Sequence, residues 1–137
     1  MATACLTGDT VTGELLEQGD GTIVLGLRGT EYKLHLETVG PLDAALHKPV
    51  TGRIFARARR VDRVVHGGRY IEPVIGRPRR LQGHVMSGDA QAGTLTVRCG
   101  GACPFICTMM PGQRADDFPS GTFVALDVER GARFEPA

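Results

Sequence analysis

Glycine and proline interrupt this sequence so often that long helices are disfavoured. The chain has 19 glycines and eight prolines in 137 residues, and both residue types destabilise helix interiors. Between them lie short runs in which apolar and polar residues alternate, the spacing that places strand side chains on one face of a sheet. With 42% hydrophobic residues and no Trp, the chain can bury a mostly aliphatic core. We therefore expect an all-β protein.

The first half of the sequence predicts three strands, a short helix and two further strands. The first three strands are expected at residues 12–18, 22–28 and 31–36, with glycine-containing turns between them. The helix is expected at residues 41–47, which read PLDAALH. The last two strands are expected within residues 52–80, which we call the central segment.

The second half repeats this order. Gly13 matches Gly83 at an offset of 70 residues, and Gly21 matches Gly93 at an offset of 72. We interpret these matches as a sign of internal duplication. The corresponding strands are expected at residues 81–86, 94–99, 105–109 and 122–128, with a short helix at residues 113–118.

Three strands, a helix and two strands is the element order of the OB-fold, a small Greek-key barrel. The similarity lies in that order and in no signature motif. It implies two tandem OB-like barrels, at residues 8–76 and 79–135; one larger β-barrel or sandwich is the alternative. The second half offers only residues 133–135 as a fifth strand. Its barrel is therefore incomplete, or a strand from the first half or from a neighbouring subunit closes it.

The central segment predicts a hairpin and carries most of the positive charge. Residues 48–80 contain ten of the 16 Lys and Arg residues but only two acidic residues, a local net charge of +8 in a chain whose total is +1. Arg59 and Arg60 break the strand alternation, so we expect a β-bulge there that places Val61 on the arginine-bearing face. Residues 67–68 are glycines and predict the turn, after which residues 69–72 return as the second strand of the hairpin.

This basic hairpin predicts a binding face for single-stranded nucleic acid or another polyanion. Cationic side chains follow a phosphate backbone, and aromatic rings stack on bases. Phe55, among arginines on one strand face, is the expected stacking platform. The candidate binding residues are Arg53, Phe55, Arg57, Arg59, Arg63, Arg69, Tyr70, Arg77, Arg79 and Arg80.

A structural or self-associating β-module is the alternative. Residues 1–47 carry a net charge of −5, and the whole chain has a pI of about 7.7, whereas dedicated nucleic-acid binders are usually strongly basic. The arginines of the central segment would then pair with acidic residues of the same chain, of a second copy or of an acidic partner protein.

The sequence predicts neither an enzyme nor a cofactor. It has no G-x-S-x-G elbow and no P-loop. Cys99, Cys103 and Cys107 form a C-x3-C-x3-C pattern whose spacing permits a zinc site. We instead expect buried hydrophobic cysteines and no metal, with Cys99 on one face and the other two on the opposite face. The four histidines are expected to be surface or hydrogen-bonded residues.

The N-terminal sequence predicts a cytoplasmic protein with no membrane association. It has neither a basic leader nor an apolar secretory core. No run approaches the ~18 apolar residues of a membrane span. Reduced cysteines are expected in that compartment.

Overall fold

The computed structural model describes residues 8–137 and shows an all-β protein, as the alternation predicts. The N-terminal stretch on which the expected location depends lies outside this range. Residues 8–137 contain eleven strands, and short 3-10 turns lie at Gly100–Ala102 and Ala115–Asp117. The strands are β1 (Val11–Gly19), β2 (Thr22–Leu27), β3 (Lys33–Glu37), β4 (Pro49–Arg63), β5 (Tyr70–Glu72), β6 (Ile75–Gly76), β7 (Arg80–Asp89), β8 (Thr94–Arg98), β9 (Pro104–Thr108), β10 (Phe123–Val128) and β11 (Arg133–Pro136).

The strands form one mixed sheet in which four strands of the first half and β11 form a closed circuit of pairings. Strands β1, β2 and β3 form an antiparallel meander. Strand β11 pairs in parallel with β3 and antiparallel with β4, and β4 pairs with β1. The pairing order β1-β2-β3-β11-β4 therefore returns to β1. Strand β11 enters this first circuit from the far end of the chain.

A second circuit of pairings uses the other end of β4. Strands β7, β8 and β9 form a second antiparallel meander. Strand β9 pairs in parallel with β4 through the Phe55–Ile106 and Ala56–Cys107 partners. Strand β10 then links β4 back to β7. A strand of the first half thus pairs with the second half, as one of the alternatives above required.

Local features recur between the two meanders at the offsets seen in the sequence. The pairing of β1 with β2 shifts register after Leu15, and that of β7 with β8 shifts after Val85, 70 residues later. The β1–β2 turn contains Gly21 at φ 72°, and the β7–β8 turn contains Gly93 at φ 70°. Positive φ angles of this size are accessible to glycine at little cost, so both turns need that residue.

One connected cluster of buried side chains fills the interior of both circuits. Its largest fully buried members are Phe105 and Phe134, and most of the others are Leu, Ile and Val. Phe134 lies on β11 and Phe105 on β9, so strands from opposite circuits contribute the two largest rings. The aliphatic character of the rest follows the composition, which supplies few aromatic residues.

The expected hairpin of the central segment is wrong. Strand β5 pairs with β7, through the Ile71–Leu81 partners, whereas β4 pairs with four other strands. The buried Gln82 of β7 explains this choice, because its side-chain amide donates hydrogen bonds to the carbonyls of His66 and Gly68 at 3.1 and 3.0 Å. The glycine turn is thereby held against β7.

The bulge at Arg59 and Arg60 is confirmed, but its expected effect on Val61 is wrong. Leu126 of β10 pairs with Val61, and Val128 pairs with Ala58, so β4 has one extra residue in this interval. Both arginines are exposed. Val61 is 2% exposed, because the extra residue returns it to the core side instead of the arginine-bearing side.

Residues 41–47 do not form the expected helix, whereas residues 113–118 contain a short 3-10 turn. Residues 41–47 form turns and bends, and the backbone N–H of Leu42 donates to the side-chain oxygen of Gln18 at 2.7 Å instead of to a helical carbonyl. Residues 113–118 contain the 3-10 turn Ala115–Asp117.

No helix within the part of the chain described is long and apolar enough to cross a membrane.

Candidate functional site

Two predicted site residues near the start of β4, Arg53 and Phe55, contact side chains of the same chain. Arg53 Nε lies 3.0 Å from Asp9 Oδ2 in an ion pair. The guanidinium carbon of Arg133, on β11, lies 4.6 Å from the centroid of the Phe55 ring. That distance is typical of a cation–π contact. One face of the expected stacking platform is therefore occupied by a residue of the same chain.

Farther along β4 the arginines differ in their surroundings. Arg57 and Arg59 are exposed, while Arg60 forms an ion pair with Asp62 at 2.8 Å. Arg63 donates a hydrogen bond to the backbone carbonyl of Asp117 and lies over the ring of Phe118. These contacts tie the end of β4 to the segment before β10.

A groove of about 860 Å³ brings together arginines from β4, from the residues between β6 and β7, from the start of β7 and from the β10–β11 loop. Backbone hydrogen bonds fix its walls: Arg79 N–H donates to the Glu72 carbonyl at 2.8 Å, and Val128 N–H donates to the Arg79 carbonyl at 2.9 Å. The linker between β6 and β7 is therefore held between β5 and the end of β10. Five arginines and three acidic residues line the groove: Arg59, Arg77, Arg79, Arg80, Arg130, Glu72, Asp127 and Glu129.

Most of the positive charge in this groove is not neutralised by an ion pair. Within residues 8–137, four of the five arginines make no ion pair. Arg80 forms one, with Asp127 at 3.0 Å. The four unpaired arginines are Arg59, Arg77, Arg79 and Arg130. They leave the groove able to accept an anion.

The pKa values of two groove arginines shift in opposite directions: that of the unpaired Arg77 is lowered, and that of the ion-paired Arg80 is raised. Partial desolvation lowers the pKa of Arg77, and the positive charges of Arg130 and Arg79 lower it further. Hydrogen bonds to Tyr70 and then to Asp127 raise the pKa of Arg80. The charge on Arg80 is thus stabilised by its own chain, whereas the charge on Arg77 faces like charges. An anion bound beside Arg77 would relieve that repulsion.

A second cavity of about 360 Å³ adjoins the groove, because Arg77 and Arg130 line both. Its floor is the outward face of β2 and β3, where Val24 lies directly opposite His35 in the antiparallel pair. The buried residues of these strands alternate with the floor residues. The alternation that builds the core therefore also builds the cavity.

No protein-family model, curated protein or solved structure matches the chain. The geometry of the groove is therefore the basis for any functional conclusion.

The structure brings together four of the ten predicted site residues. Arg59, Arg77, Arg79 and Arg80 line the groove, and Tyr70 accepts a hydrogen bond from Arg80 at 3.2 Å. The other five lie outside its lining, with Arg53 and Phe55 in the contacts described above and Arg57, Arg63 and Arg69 exposed.

Two residues of this surface, Arg130 and His35, were missed. Arg130 lies in the β10–β11 loop, far along the chain from the central segment, and no sequence spacing links the two. His35 was predicted, like the other histidines, to be a surface or hydrogen-bonded residue, and it is exposed. The signal that it faces outward was available, because it alternates with the apolar Leu34 and Leu36. The cavity beside it could not be predicted, because its lining comes from segments that are far apart in the sequence.

The three cysteines of the C-x3-C-x3-C pattern all lie in the core, each at most 1% exposed. The expectation that Cys103 and Cys107 face away from Cys99 is therefore wrong. Burial raises the pKa of each thiol, that of Cys107 to about 12. Among residues 8–137, no group of three or more His, Cys, Asp or Glu side chains is arranged to hold a metal ion.

Proposed function

We propose that the protein is a non-enzymatic β-barrel module that binds single-stranded nucleic acid or another polyanion in the arginine groove. The observation that carries this proposal is the set of four arginines in the groove that make no ion pair in residues 8–137. Arginine presents a planar set of donors that matches phosphate oxygens. The groove replaces the predicted hairpin as the centre of the site.

We also propose that the two circuits of strand pairing are OB-like Greek-key barrels that share β4. Each circuit has five strands, a parallel pair closing the order, and a meander with a register shift at the same place. OB-folds bind oligonucleotides across strands 2 and 3. In the first circuit these strands are β2 and β3, which form the floor of the second cavity.

The cytoplasmic location and the lack of catalytic activity remain predictions.

The test of the proposed function is to measure the affinity for a fluorescently labelled single-stranded oligonucleotide at several salt concentrations. If the four unpaired arginines each contact a phosphate, the logarithm of affinity should fall with the logarithm of salt at a slope of about −3, since each contact releases about 0.7 of a counterion. Arg79→Glu combined with Arg130→Glu should weaken binding and roughly halve that slope. Anisotropy measures both quantities.

Arg114→Glu is the matched control, because Arg114 is exposed and does not line the groove. Its effect on affinity should be small. If neither an oligonucleotide nor inorganic polyphosphate binds at tens of micromolar protein in low salt, the proposed function is wrong.

A self-associating module is the second candidate function. Val74 and Ile75 are 48% and 59% exposed, and Val74 lines the groove. Exposed apolar residues beside charged ones are typical of protein interfaces. Ile75→Asp should then lower the mass measured by analytical ultracentrifugation. A concentration-independent monomer mass for the wild type would exclude this candidate.

A further inference from the structure

The arginine groove continues into two further depressions. Arg77 and Arg130 are shared with the second cavity. The second cavity in turn shares Glu17, Thr22 and Val24 with a third depression of about 160 Å³ at the β1–β2 turn. The three depressions therefore form one path, from the arginines across β2 and β3 to that turn. A path of this form suits an extended ligand better than a single small anion.

The charge along this path changes sign. Beyond Arg77 the second cavity is lined by Glu17 and Glu37, and neither carboxylate is in an ion pair within the described part of the chain. A polymer of phosphate or sulfate groups alone would be repelled there. Carboxylates accept hydrogen bonds, so the second cavity favours a neutral group with N–H donors, such as the amino group of a nucleobase.

His35 provides a flat ring in the same cavity. Its side chain is exposed on the outward face of β3, and Val24 of β2 lies directly opposite it. Histidine is one of the side chains on which unstacked bases stack in single-strand recognition. The ring of Phe55, by contrast, already has Arg133 on one face.

We infer that this path takes single-stranded nucleic acid rather than a base-free polyanion, with a base stacked on His35 and the adjoining phosphate at Arg77 and Arg130. The inference rests on the proposed function, since it specifies the ligand of the same site. It assigns the three parts of a nucleotide strand to different residues. The phosphate lies at the arginines, the base face lies on the histidine ring, and the base edge lies beside Glu17 or Glu37.

The experiment compares two labelled strands of equal length, one with normal bases and one in which every base is replaced by an abasic site. Both carry the same number of phosphates, so their affinities differ only through the bases. At one salt concentration we expect the wild-type protein to bind the base-bearing strand at least about tenfold more tightly, because base–aromatic stacking adds to the phosphate contacts.

Variants of His35 locate the effect. His35→Ala should weaken binding of the base-bearing strand by about fivefold to 100-fold, the range expected for a lost stacking contact, and should change the abasic strand less than twofold. His35→Phe should restore the affinity, which separates stacking from charge. His66→Ala, an exposed histidine outside all three depressions, should change neither strand's affinity.

Three results would overturn the inference while leaving the proposed function in place. The first is equal affinity for the two strands. The second is an equal loss for both strands in His35→Ala, and the third is a loss of base-dependent affinity in Phe55→Ala instead of His35→Ala. Failure of the proposed function looks different, because then neither strand binds at any salt concentration.

Discussion

At the scale of single residues, close approach of backbone segments decides which positions must be glycine. A Cβ atom on Gly83 of β7 would overlap the carbonyl oxygen of Arg98 in β8. On Gly13, at the corresponding place in β1, it would lie 2.7 Å from the carbonyl oxygen of Gly26. The two glycines that first suggested duplication therefore have the same physical role, which is to let the second strand of each meander approach.

Gly83→Ala should destabilise the protein by about 1–3 kcal/mol, the usual range for an added carbon that forces the backbone to shift. Urea unfolding followed by circular dichroism measures this loss. Gly40→Ala is the control, since a Cβ there meets no atom within 4 Å, and its effect should stay within about 0.5 kcal/mol. Equal stability of the two variants would show that the close approach of Gly83 to the Arg98 carbonyl does not require glycine.

Buried thiols give the protein a dependence on alkaline pH. The pKa of Cys107 is raised by burial from an ordinary value of 9.0 to about 12. Below pH 9 both the folded and the unfolded state keep the proton, so stability does not change with pH through this thiol there. Above pH 9 the unfolded state loses it first, so stability should fall by about 1.4 kcal/mol per pH unit for this thiol until its folded pKa.

The measurement is the free energy of unfolding in urea between pH 8 and pH 11. Cys107→Ala lacks the titrating group, so above pH 9 its stability should fall less steeply than that of the wild type. The cavity left by the substitution lowers stability at every pH and does not alter this slope. Identical slopes for the two proteins would show that Cys107 is not shielded from solvent.

At the scale of elements, β4 and β11 connect the two halves of the chain. Strand β4 pairs with β1 and β11 at its start and with β9 and β10 farther along. Gly52 of β4 permits the contact with β11, because a Cβ there would overlap the Glu135 carbonyl and lie 2.6 Å from Cζ of Phe134. The short fifth strand of the sequence prediction thus belongs, by its pairings, to the first circuit.

Phe134→Ala tests the importance of β11. The ring is 1% exposed, so its removal should cost about 3–5 kcal/mol, the range for a buried phenylalanine. Glu135→Ala, in the same strand but with an exposed side chain that forms an ion pair with Arg133, should cost less than about 1 kcal/mol. Similar losses for the two variants in urea unfolding would mean that β11 contributes little to the core.

At the scale of the whole molecule, the exchange of strands couples the two circuits. The proposed domains at residues 8–76 and 79–135 are each contiguous in sequence, but the pairings of β4 with β9 and β10 and of β11 with β3 and β4 cross the boundary. Neither segment alone contains all five strands of a circuit. The buried cluster is also continuous across both.

We therefore expect calorimetry to show a single unfolding transition whose calorimetric and van't Hoff enthalpies agree. Chains of residues 8–76 and 79–137, expressed separately, should lack dispersed amide resonances, and mixing them should restore these resonances. Two transitions, or a well-dispersed spectrum from either segment alone, would show that the halves fold independently.

The sequence by itself determined where most strands lie, because the side chains of a strand alternate with a period that neighbouring residues impose. Runs such as residues 22–28 and 31–36 fixed the all-β class and which side chains face inward. The doubled arginine at 59–60 identified the bulge in β4. The concentration of positive charge in residues 48–80 also followed from the order of the residues alone, and with it the expectation of an anionic ligand.

Only the tertiary structure decided which strands pair and which arginines meet. Strand β5 turned to β7 because Gln82 binds the loop before it, and β11 reached β3 and β4 from the end of the chain. Arg130 joined Arg77 and Arg79 by the same long-range packing. These pairings join residues that are far apart in the chain, and that information is not present in any short stretch of the sequence.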